Sequence, residues 1–265
     1  MPLQVWVGAI QVGCFAALIG LGFQLIVRTT GIFMFPLGGV ASFSAMFMSY
    51  LAIQEGWSTP TAFAAGVLTG ALLGIACDVI VLGPVQRRAG ISDQLAIVVA
   101  TIGLLFALQQ LSGTLFGRTP LQVPSLVSGT PYFFHDAVLT RQWVLTVSAT
   151  AGVFAVATVL MRFSRYGRYM RAVGANREAA RLLGIGERRL RVLAFGAGGA
   201  IAALGGLFLS TQSGVRFDQG FEWAILGFIA CIIGGNARVV GPLVGGLMVA
   251  IVQSYASFKL AATVK

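Results

Sequence analysis

Long apolar segments alternate along the chain with short polar turns, a pattern typical of helices that cross a membrane. A bilayer-spanning helix needs about 20 predominantly apolar residues. The pattern predicts eight spans, at about 5–27, 31–53, 61–82, 94–116, 142–161, 192–212, 222–233 and 241–258, of which the seventh is short. The sequence therefore predicts an all-α, polytopic transmembrane helical bundle that forms one domain over residues 1–265.

One strongly polar stretch, residues 162–191, separates the fifth and sixth predicted spans. It contains nine arginines, opposed by only two acids, Glu178 and Glu187. One arginine at the centre of a bilayer costs about 3 kcal/mol on insertion scales, so nine would cost on the order of 25 kcal/mol. The stretch is therefore expected outside the hydrocarbon, on the cytoplasmic side. Alternation of the spans then puts thirteen of the eighteen basic residues inside, as the positive-inside rule requires.

The polar stretch also contains the pattern of a short helix. Asn176 is a favoured N-cap, because its side-chain oxygen accepts from the free amides of a first turn. Glu178 suits the positive end of the helix dipole, and Gly184 is a natural C′ residue. Two interpretations stay open on this pattern alone. The stretch is either a solvated loop whose arginines pair with anionic lipid headgroups, or a helix presented to the groove of a cytoplasmic partner.

Within this predicted helix, Glu178-Ala179-Ala180 followed by Gly184 resembles the EAA-x3-G loop of ABC importer permeases. The flanking text, from Tyr166-Gly167-Arg168 to Leu183-Gly184-Ile185, resembles the branched-chain amino acid ABC transporter permease family. The resemblance implies that the helix docks into an ATPase subunit and receives its movement, so that 162–191 is a cytoplasmic coupling loop. The implied contact residues are Asn176, Glu178, Ala179, Ala180, Leu183 and Gly184.

Glycines near the end of the chain carry a second resemblance to the same family. Its LGG…G-x-x-x-GG pattern is similar to Ile233-Gly234-Gly235-Asn236, then Gly241-Pro242 and Gly245-Gly246. We expect Gly234 and Gly235 to end or break the seventh span, and Pro242 is tolerated in the first turn of the eighth. Broken helices expose backbone groups to substrates in many transporters, so this pair is a candidate for the substrate pathway.

Composition agrees with a membrane protein, since 57% of the 265 residues are hydrophobic, 10% are charged and the mean hydropathy is +0.88. The net charge of +10 is concentrated in the central stretch. We therefore attribute it to membrane topology and to contact with lipid headgroups, and not to nucleic-acid binding. The three cysteines lie far apart in apolar segments. The only histidine, His135, is expected at the surface, so no metal site and no catalytic triad is predicted.

The chain lacks the means to hydrolyse ATP. A phosphate-binding loop needs GxxxxGK[ST], and the only lysines are Lys259 and Lys265. We therefore predict that the chain is not an enzyme and binds no cofactor itself. The resemblance implies that ATP and Mg²⁺ bind to two cytoplasmic ATPase subunits. It also implies a second, similar permease, an extracytoplasmic substrate-binding protein and a bacterial-type inner membrane. The implied cargo, moved inward, is branched-chain or other amino acids, or a small amide such as urea.

Uncharged polar residues within the predicted spans are further candidates for a substrate pathway. They are Gln11, Gln109, Gln110 and Gln253. The alternative for each is a hydrogen bond to a neighbouring helix. Asp78 is the one clear ionisable residue in a span, and for it we expect a structural partner such as Arg87 or Arg88 instead of ion coupling. The same span carries Gly66, Gly70 and Gly74, whose spacing predicts close helix packing.

The sequence departs from the family in two places that bear on function. Met34 and Leu37 stand where the family has a polar element, which leaves the substrate open. The chain also ends at Lys265, before the last span that the family normally has, and we expect a shortened variant or an incomplete reading frame. Two alternative functions stay open: a stand-alone secondary transporter or channel, disfavoured by the few charges within the spans, and a degenerate, non-transporting permease.

Overall fold

The computed structural model describes residues 3–85, 94–127, 132–134, 137–236 and 238–263. Helices account for most of this part of the chain. In order, the elements are α1 (Leu3–Thr30), α2 (Pro36–Ile53), α3 (Thr59–Ala76), a π-helix that continues α3 (Cys77–Leu82), α4 (Gln94–Phe116), β1 (Tyr132–Phe134), β2 (Ala137–Leu139), α5 (Arg141–Phe163), α6 (Arg165–Ala175), α7 (Arg177–Leu182), α8 (Glu187–Ser213), α9 (Gly220–Gly234) and α10 (Gly241–Thr263).

Six helices of the described residues are long and apolar enough to cross a membrane. They are α1, α2, α3 with its π-helical continuation, α4, α5 and α8. Two more, α9 and most of α10, are shorter apolar helices. The predicted class, a helical bundle with about eight apolar segments, is therefore confirmed.

Helix α1 is the centre of the bundle. Residues 13–26 of α1 are all buried, because α8, α9 and α10 pack around it and α5 covers part of the remaining side. A helix that is apolar all round is expected to be enclosed in this way. On the far side of α8 lie α2 and α3, and α4 packs against α2. The main core therefore runs from α1 through α8 and α9 to α2.

The glycine face predicted for the third span is confirmed. Gly66, Gly70 and Gly74 are buried in α3, which packs against α8. A Cβ atom added at Gly70 would lie 2.8 Å from the carbonyl oxygen of Gly199 in α8. Only glycine fits at this separation, so small residues let the two backbones approach closely, as in many membrane bundles.

One end of the bundle carries a small antiparallel hairpin in which Phe133 lies opposite Val138. The Val138 N–H donates to Oε1 of Gln4 at 3.0 Å, and Trp143 Nε1 donates to the carbonyl oxygen of Val7 at 2.9 Å. Both bonds tie this end to the start of α1. The sequence predicted only a proline-rich loop over 117–141, so the strands are an addition to the predicted all-α fold. His135 lies outside the described residues.

The opposite end, which we call the arginine-rich end, holds the central polar stretch. The Arg28 guanidinium donates to the carbonyl oxygen of Asn236 at 2.6 Å and joins the end of α1 to the α9–α10 turn. Helix α6 packs on the same end of α1, because a Cβ atom at Gly174 would lie 3.2 Å from the carbonyl oxygen of Arg28. Arg28 and the polar stretch thus share one end, as the charge pattern predicted.

Two helix boundaries differ from the prediction for physical reasons. Helix α2 begins at Pro36 and not near residue 31, because Gly31 adopts a φ of 72° that ends α1, and Pro36 has no N–H to lose at a helix start. Helix α8 begins at Glu187 and not near residue 192. Its first turn therefore belongs to the polar stretch, and its acid suits the positive end of the helix dipole.

Candidate functional site

The short helix α7 stands where the sequence predicted it, within the polar stretch. Asn176 caps its start, since the Ala179 N–H donates to Oδ1 of Asn176 at 3.0 Å. At its end, the Ile185 N–H donates to the carbonyl oxygen of Ala180 at 3.1 Å, and Gly184 adopts a φ of 74°. This combination is typical of a Schellman end. The capping roles predicted for Asn176 and Gly184 are confirmed.

Helix α7 is attached to the bundle through one small residue and leaves two large ones uncovered. Ala180 is only 2% exposed and packs in an apolar cluster formed by α1, α5, α6 and α8. Leu182 and Leu183 are 90% and 78% exposed. Two adjacent large apolar side chains are therefore left uncovered at the end of this short helix.

The other residues of the predicted docking set take different places. Ala179 is exposed beside the leucines. Glu178 lies in the first turn of α7, but its side chain is outside the described part of the chain, as are those of Arg177 and Arg181. Leu182 was not among the predicted contacts. Its position next to Leu183 in an otherwise polar stretch could have indicated it as a further contact residue.

Helix α6 lies across the arginine-rich end with one face buried and one exposed. Its start is capped by Ser164, whose Oγ accepts from the Tyr166 N–H at 3.2 Å. Met170 and Val173 are buried with Ala180 of α7 in the same apolar cluster, so α6 and α7 are attached to the bundle through the same cluster. Arg171 donates to the carbonyl oxygen of Met161, which satisfies a backbone group at the end of α5. The exposed face is rich in arginine and tyrosine.

A buried ion pair joins α3 to α8 near the same end. Nε of Arg191 lies 2.7 Å from Oδ1 of Asp78, and the two side chains are 18% and 1% exposed. Asp78 stands in the π-helix, where its carbonyl oxygen accepts from the Gly83 N–H. Such π-helical turns are frequent at functional sites. The partners suggested from the sequence, Arg87 and Arg88, lie outside the described residues, and the partner that the structure shows is Arg191.

Inside the bundle, the first turns of α2 and α9 meet with almost no side chain between them. A Cβ atom added at Gly220 would lie 2.9 Å from Cα of Gly39 and 3.0 Å from Oγ of Ser42. Helix α9 has 15 residues, about 22 Å, which is less than the roughly 30 Å of hydrocarbon. Irregular backbone at 214–219 connects α8 to α9; its first two residues, Gly214 and Val215, are buried, whereas Arg216 and Asp218 are exposed.

Two contacts satisfy this irregular backbone. Leu121 and Val215 exchange both backbone hydrogen bonds at 2.9 Å. Gln109 of α4 is buried, and its Nε2 donates to the carbonyl oxygen of Asp218 at 2.7 Å. Gln109, predicted as a pathway residue, thus supports the backbone at the start of α9. The Gly39–Gly220 contact and its supports form the candidate interior site.

The remaining predicted pathway residues are not brought together at this interior site. Gln11 is buried and lines a cavity of about 560 Å³ towards the hairpin end, together with Gln142. Gln253 is exposed on α10. Gly234 and Gly235 lie at the arginine-rich end, where Gly235 adopts a φ of 71° and ends α9 as predicted.

Gln24 is a buried polar residue that the sequence analysis missed. Its Nε2 donates to the carbonyl oxygens of Gly235 at 3.0 Å and Arg238 at 2.7 Å. Because both acceptors lie in the α9–α10 turn, Gln24 holds that turn against α1. Gln24 stands in an apolar span just as Gln11 does, so the signal used for Gln11 could have found it.

The two residues that replace the expected polar element are fully enclosed. Met34 and Leu37 are buried in the main core beside a group of phenylalanines. The ring centroids of Phe33 and Phe228 are 4.8 Å apart, and those of Phe35 and Phe228 are 5.3 Å apart. The segment that precedes α2 is therefore lined by apolar groups.

The described residues contain no group of three or more His, Cys, Asp or Glu side chains that could hold a metal ion. Cys14, Cys77 and Cys231 are buried free thiols. What the described arrangement offers is a capped helix with exposed leucines, an ion pair between α3 and α8 near the same end, and irregular backbone that leads into the buried start of α9.

Comparison with known proteins gives consistent matches. The family described as branched-chain amino acid transport system, permease component, matches residues 7–264. The chain is 27% identical over 279 residues to the high-affinity branched-chain amino acid transport system permease protein LivH of Escherichia coli (strain K12), covering 99% of this chain and 88% of LivH. It is also 27% identical over 266 residues to BraD of Pseudomonas aeruginosa, a protein of the same description, covering 96% and 85%.

A solved structure supports the fold. The inward-facing conformation of a metal-chelate type ABC transporter matches with a TM-score of 0.51 at 18% identity. The match covers 96% of this chain and 77% of that one.

Proposed function

Since the chain belongs to the family of branched-chain amino acid transport system permease components, we propose that it is the membrane-spanning subunit of an ABC importer. It moves amino acids of the branched-chain type, or a small amide, inward. A separate ATPase subunit supplies the energy by docking on the 176–184 helix. The observation that carries the proposal is the exposure of Leu182 and Leu183 on a capped helix at the arginine-rich end.

The proposed docking element is α7. Full burial of one leucine contributes about 1.5–3 kcal/mol, so a groove that covers both would gain roughly 3–6 kcal/mol. Asn176 and Gly184 hold the two ends of the helix, and Ala180 anchors it to the bundle. We assign the contacts with the ATPase to Glu178, Ala179, Leu182 and Leu183. This adds Leu182 to the set inferred from the sequence, in which Asn176, Ala180 and Gly184 now hold the helix in place.

Movement of α7 has a short route into the spans. Only the turn 183–186 separates α7 from α8, and Arg191 in the second turn of α8 is paired with the buried Asp78 of the span that begins with α3. A displacement of α7 that rotates the start of α8 therefore also pulls on that span. In this proposal the nucleotide cycle of the ATPase alternates the interior between outward- and inward-facing states.

The proposed assembly contains this chain, a second similar permease, two ATPase subunits and an extracytoplasmic substrate-binding protein, in a bacterial-type inner membrane. ATP and Mg²⁺ bind to the ATPase subunits. The arginine-rich end faces the cytoplasm, where a positive charge excess is favoured and where the ATPases lie.

The proposed cargo passes the Gly39–Gly220 contact. Irregular backbone of this kind lies beside the substrate in many transporters, and the apolar surroundings of Met34 and Leu37 suit an aliphatic side chain. The proposed pathway set remains Gln11, Gln109, Gln253, Gly234 and Gly235, with Gln109 nearest this contact through Asp218.

The docking surface can be tested by truncating its leucines. We expect Leu182→Ala/Leu183→Ala to weaken binding of the cognate ATPase at least tenfold and to stop ATP-driven uptake in proteoliposomes that contain the binding protein. Leu111→Ala/Leu115→Ala is the matched control, because both leucines are exposed on α4, away from the arginine-rich end. Equal ATPase affinity and uptake in both double variants would exclude α7 as the docking element.

Charge reversal in the first turn of α7 gives a second test. We expect Glu178→Arg to abolish coupled uptake with little loss of assembled permease, and full uptake by this variant would refute the docking role. Substrate movement by the purified chain alone, driven by a gradient, would favour a stand-alone transporter. ATPase binding without any uptake by the wild-type assembly would favour a non-transporting permease.

A further inference from the structure

A long apolar groove lies on the outside of the bundle between α5 and α8. Its volume is about 730 Å³, and Leu25 of α1 forms its floor. On α5 the lining extends from Ala149 to Met161, and on α8 from Leu193 to Ile201. The α5 part spans about 18 Å along the helix, which is slightly more than half of a hydrocarbon layer roughly 30 Å thick. The groove thus has the length and the lining of a site for one acyl chain of one leaflet.

The groove ends at the arginine-rich end of the bundle. Ser164 and Tyr166, from the start of α6, line it there, and tyrosine is enriched at the level of lipid headgroups. Exposed arginines stand next to these residues at 165 and 168. Across the groove, Arg188 and Arg189 line an adjoining concavity that shares Leu193 with it. Positive charge therefore flanks the end of the groove on both sides.

We propose that this groove is a binding site for one anionic phospholipid of the leaflet at the arginine-rich end. An acyl chain fills the space between α5 and α8, and the phosphate lies between the α6 arginines and Arg189. Basic pockets between membrane-spanning helices on the cytoplasmic side are known to hold anionic headgroups. Charge favours this occupant over an apolar helix of another subunit, because the lipid itself brings the negative charge that the flanking arginines require.

The part of the site that binds the acyl chain is tested by filling the groove. A Cβ atom at Gly152 has no neighbour within 4 Å, so a tryptophan there enters the groove without a backbone clash. Native mass spectrometry of the full-length chain, extracted from nanodiscs containing phosphatidylglycerol and phosphatidylcholine, measures retained lipid. We expect wild type to retain one phosphatidylglycerol and Gly152→Trp to lose it. Val159→Trp, on an exposed position of the same helix outside the groove, should keep it.

The headgroup half is tested by removing charge. Since each basic residue near an anionic lipid surface changes binding by about fivefold, Arg165→Gln/Arg189→Gln should reduce the preference for phosphatidylglycerol over phosphatidylcholine by about 25-fold. Arg118→Gln, an exposed arginine beyond the opposite end of α4, should leave the preference unchanged.

Three results would overturn the proposal. The first is equal retention of the two lipids by wild type, and the second is equal lipid loss in Gly152→Trp and Val159→Trp. The third is a dimer that Gly152→Trp dissociates without changing the lipid count, which would assign the groove to a second copy. None of these measurements uses the ATPase, so their outcome is independent of the transport assay.

Discussion

Loss of the Arg191 guanidinium is predicted to be among the most damaging single changes of charge in this chain. Arg191→Gln leaves the Asp78 carboxylate, whose side chain is 1% exposed, without its ion partner at 2.7 Å. Removing one member of a buried pair typically costs 3–5 kcal/mol. Because the Arg191 side chain is 18% exposed, some water reaches the pair. We therefore expect a loss of unfolding free energy in the lower part of that range, about 3 kcal/mol.

The reverse change should cost less. Asp78→Asn leaves the charge on Arg191, which is the more exposed partner, so we expect about 1–2 kcal/mol. In Asp78→Asn/Arg191→Gln no charge remains buried, and a double-mutant cycle should give a coupling energy of about 2 kcal/mol. The matched control is Arg216→Gln, whose pair with Asp218 has a similar distance of 2.6 Å but side chains 54% and 44% exposed. An exposed pair of this kind contributes about 0.2–1 kcal/mol.

The assay is reversible unfolding of the purified permease in mixed micelles with increasing dodecyl sulfate, followed by helical circular dichroism. A loss of free energy of unfolding that is the same for Arg191→Gln and Arg216→Gln would refute the argument from burial. A coupling energy near zero would show that the two side chains are close without stabilising each other.

Three further predictions use the same unfolding assay or a simple labelling reaction. Gly70→Val should destabilise the bundle by about 1–3 kcal/mol through overpacking against α8, whereas Gly103→Ala, whose added Cβ meets nothing within 4 Å, should be neutral or stabilising by up to about 1 kcal/mol. Gln24→Leu should cost about 2–4 kcal/mol, because it leaves two carbonyl oxygens of the α9–α10 turn without their donor. The buried thiol of Cys231 should react with a membrane-impermeant maleimide only after unfolding, and labelling of the folded chain would contradict its placement.

Features coded by neighbouring residues were predictable from the sequence. The ends of α7 could be derived because Asn176 and Gly184 act on backbone groups a few residues away. The buried face of α3 could be derived because Gly66, Gly70 and Gly74 recur at the helical period. In both cases the physical cause and the residue that shows it are local.

Features that depend on distant partners were not predictable. Nothing in the sequence around Asp78 indicates Arg191, which becomes its partner only when α3 packs on α8. The role of Gln24 depends in the same way on the position of the α9–α10 turn. Helix α6 was missed for another reason: its arginines read as a solvated loop, although Met170 and Val173 give it a buried face.

The contact between α2 and α9 has a mechanical consequence. At Gly39 and Gly220 the two backbones touch without interdigitating side chains. Helices whose side-chain ridges are locked into grooves must change rotamers in order to slide past each other, whereas α2 and α9 need no such change at this contact. Small sliding of packed helices is one of the recurring modes of conformational change. Glycine at this junction therefore lets α2 and α9 slide against each other, while the interdigitated helices around them keep the rest of the bundle stiff.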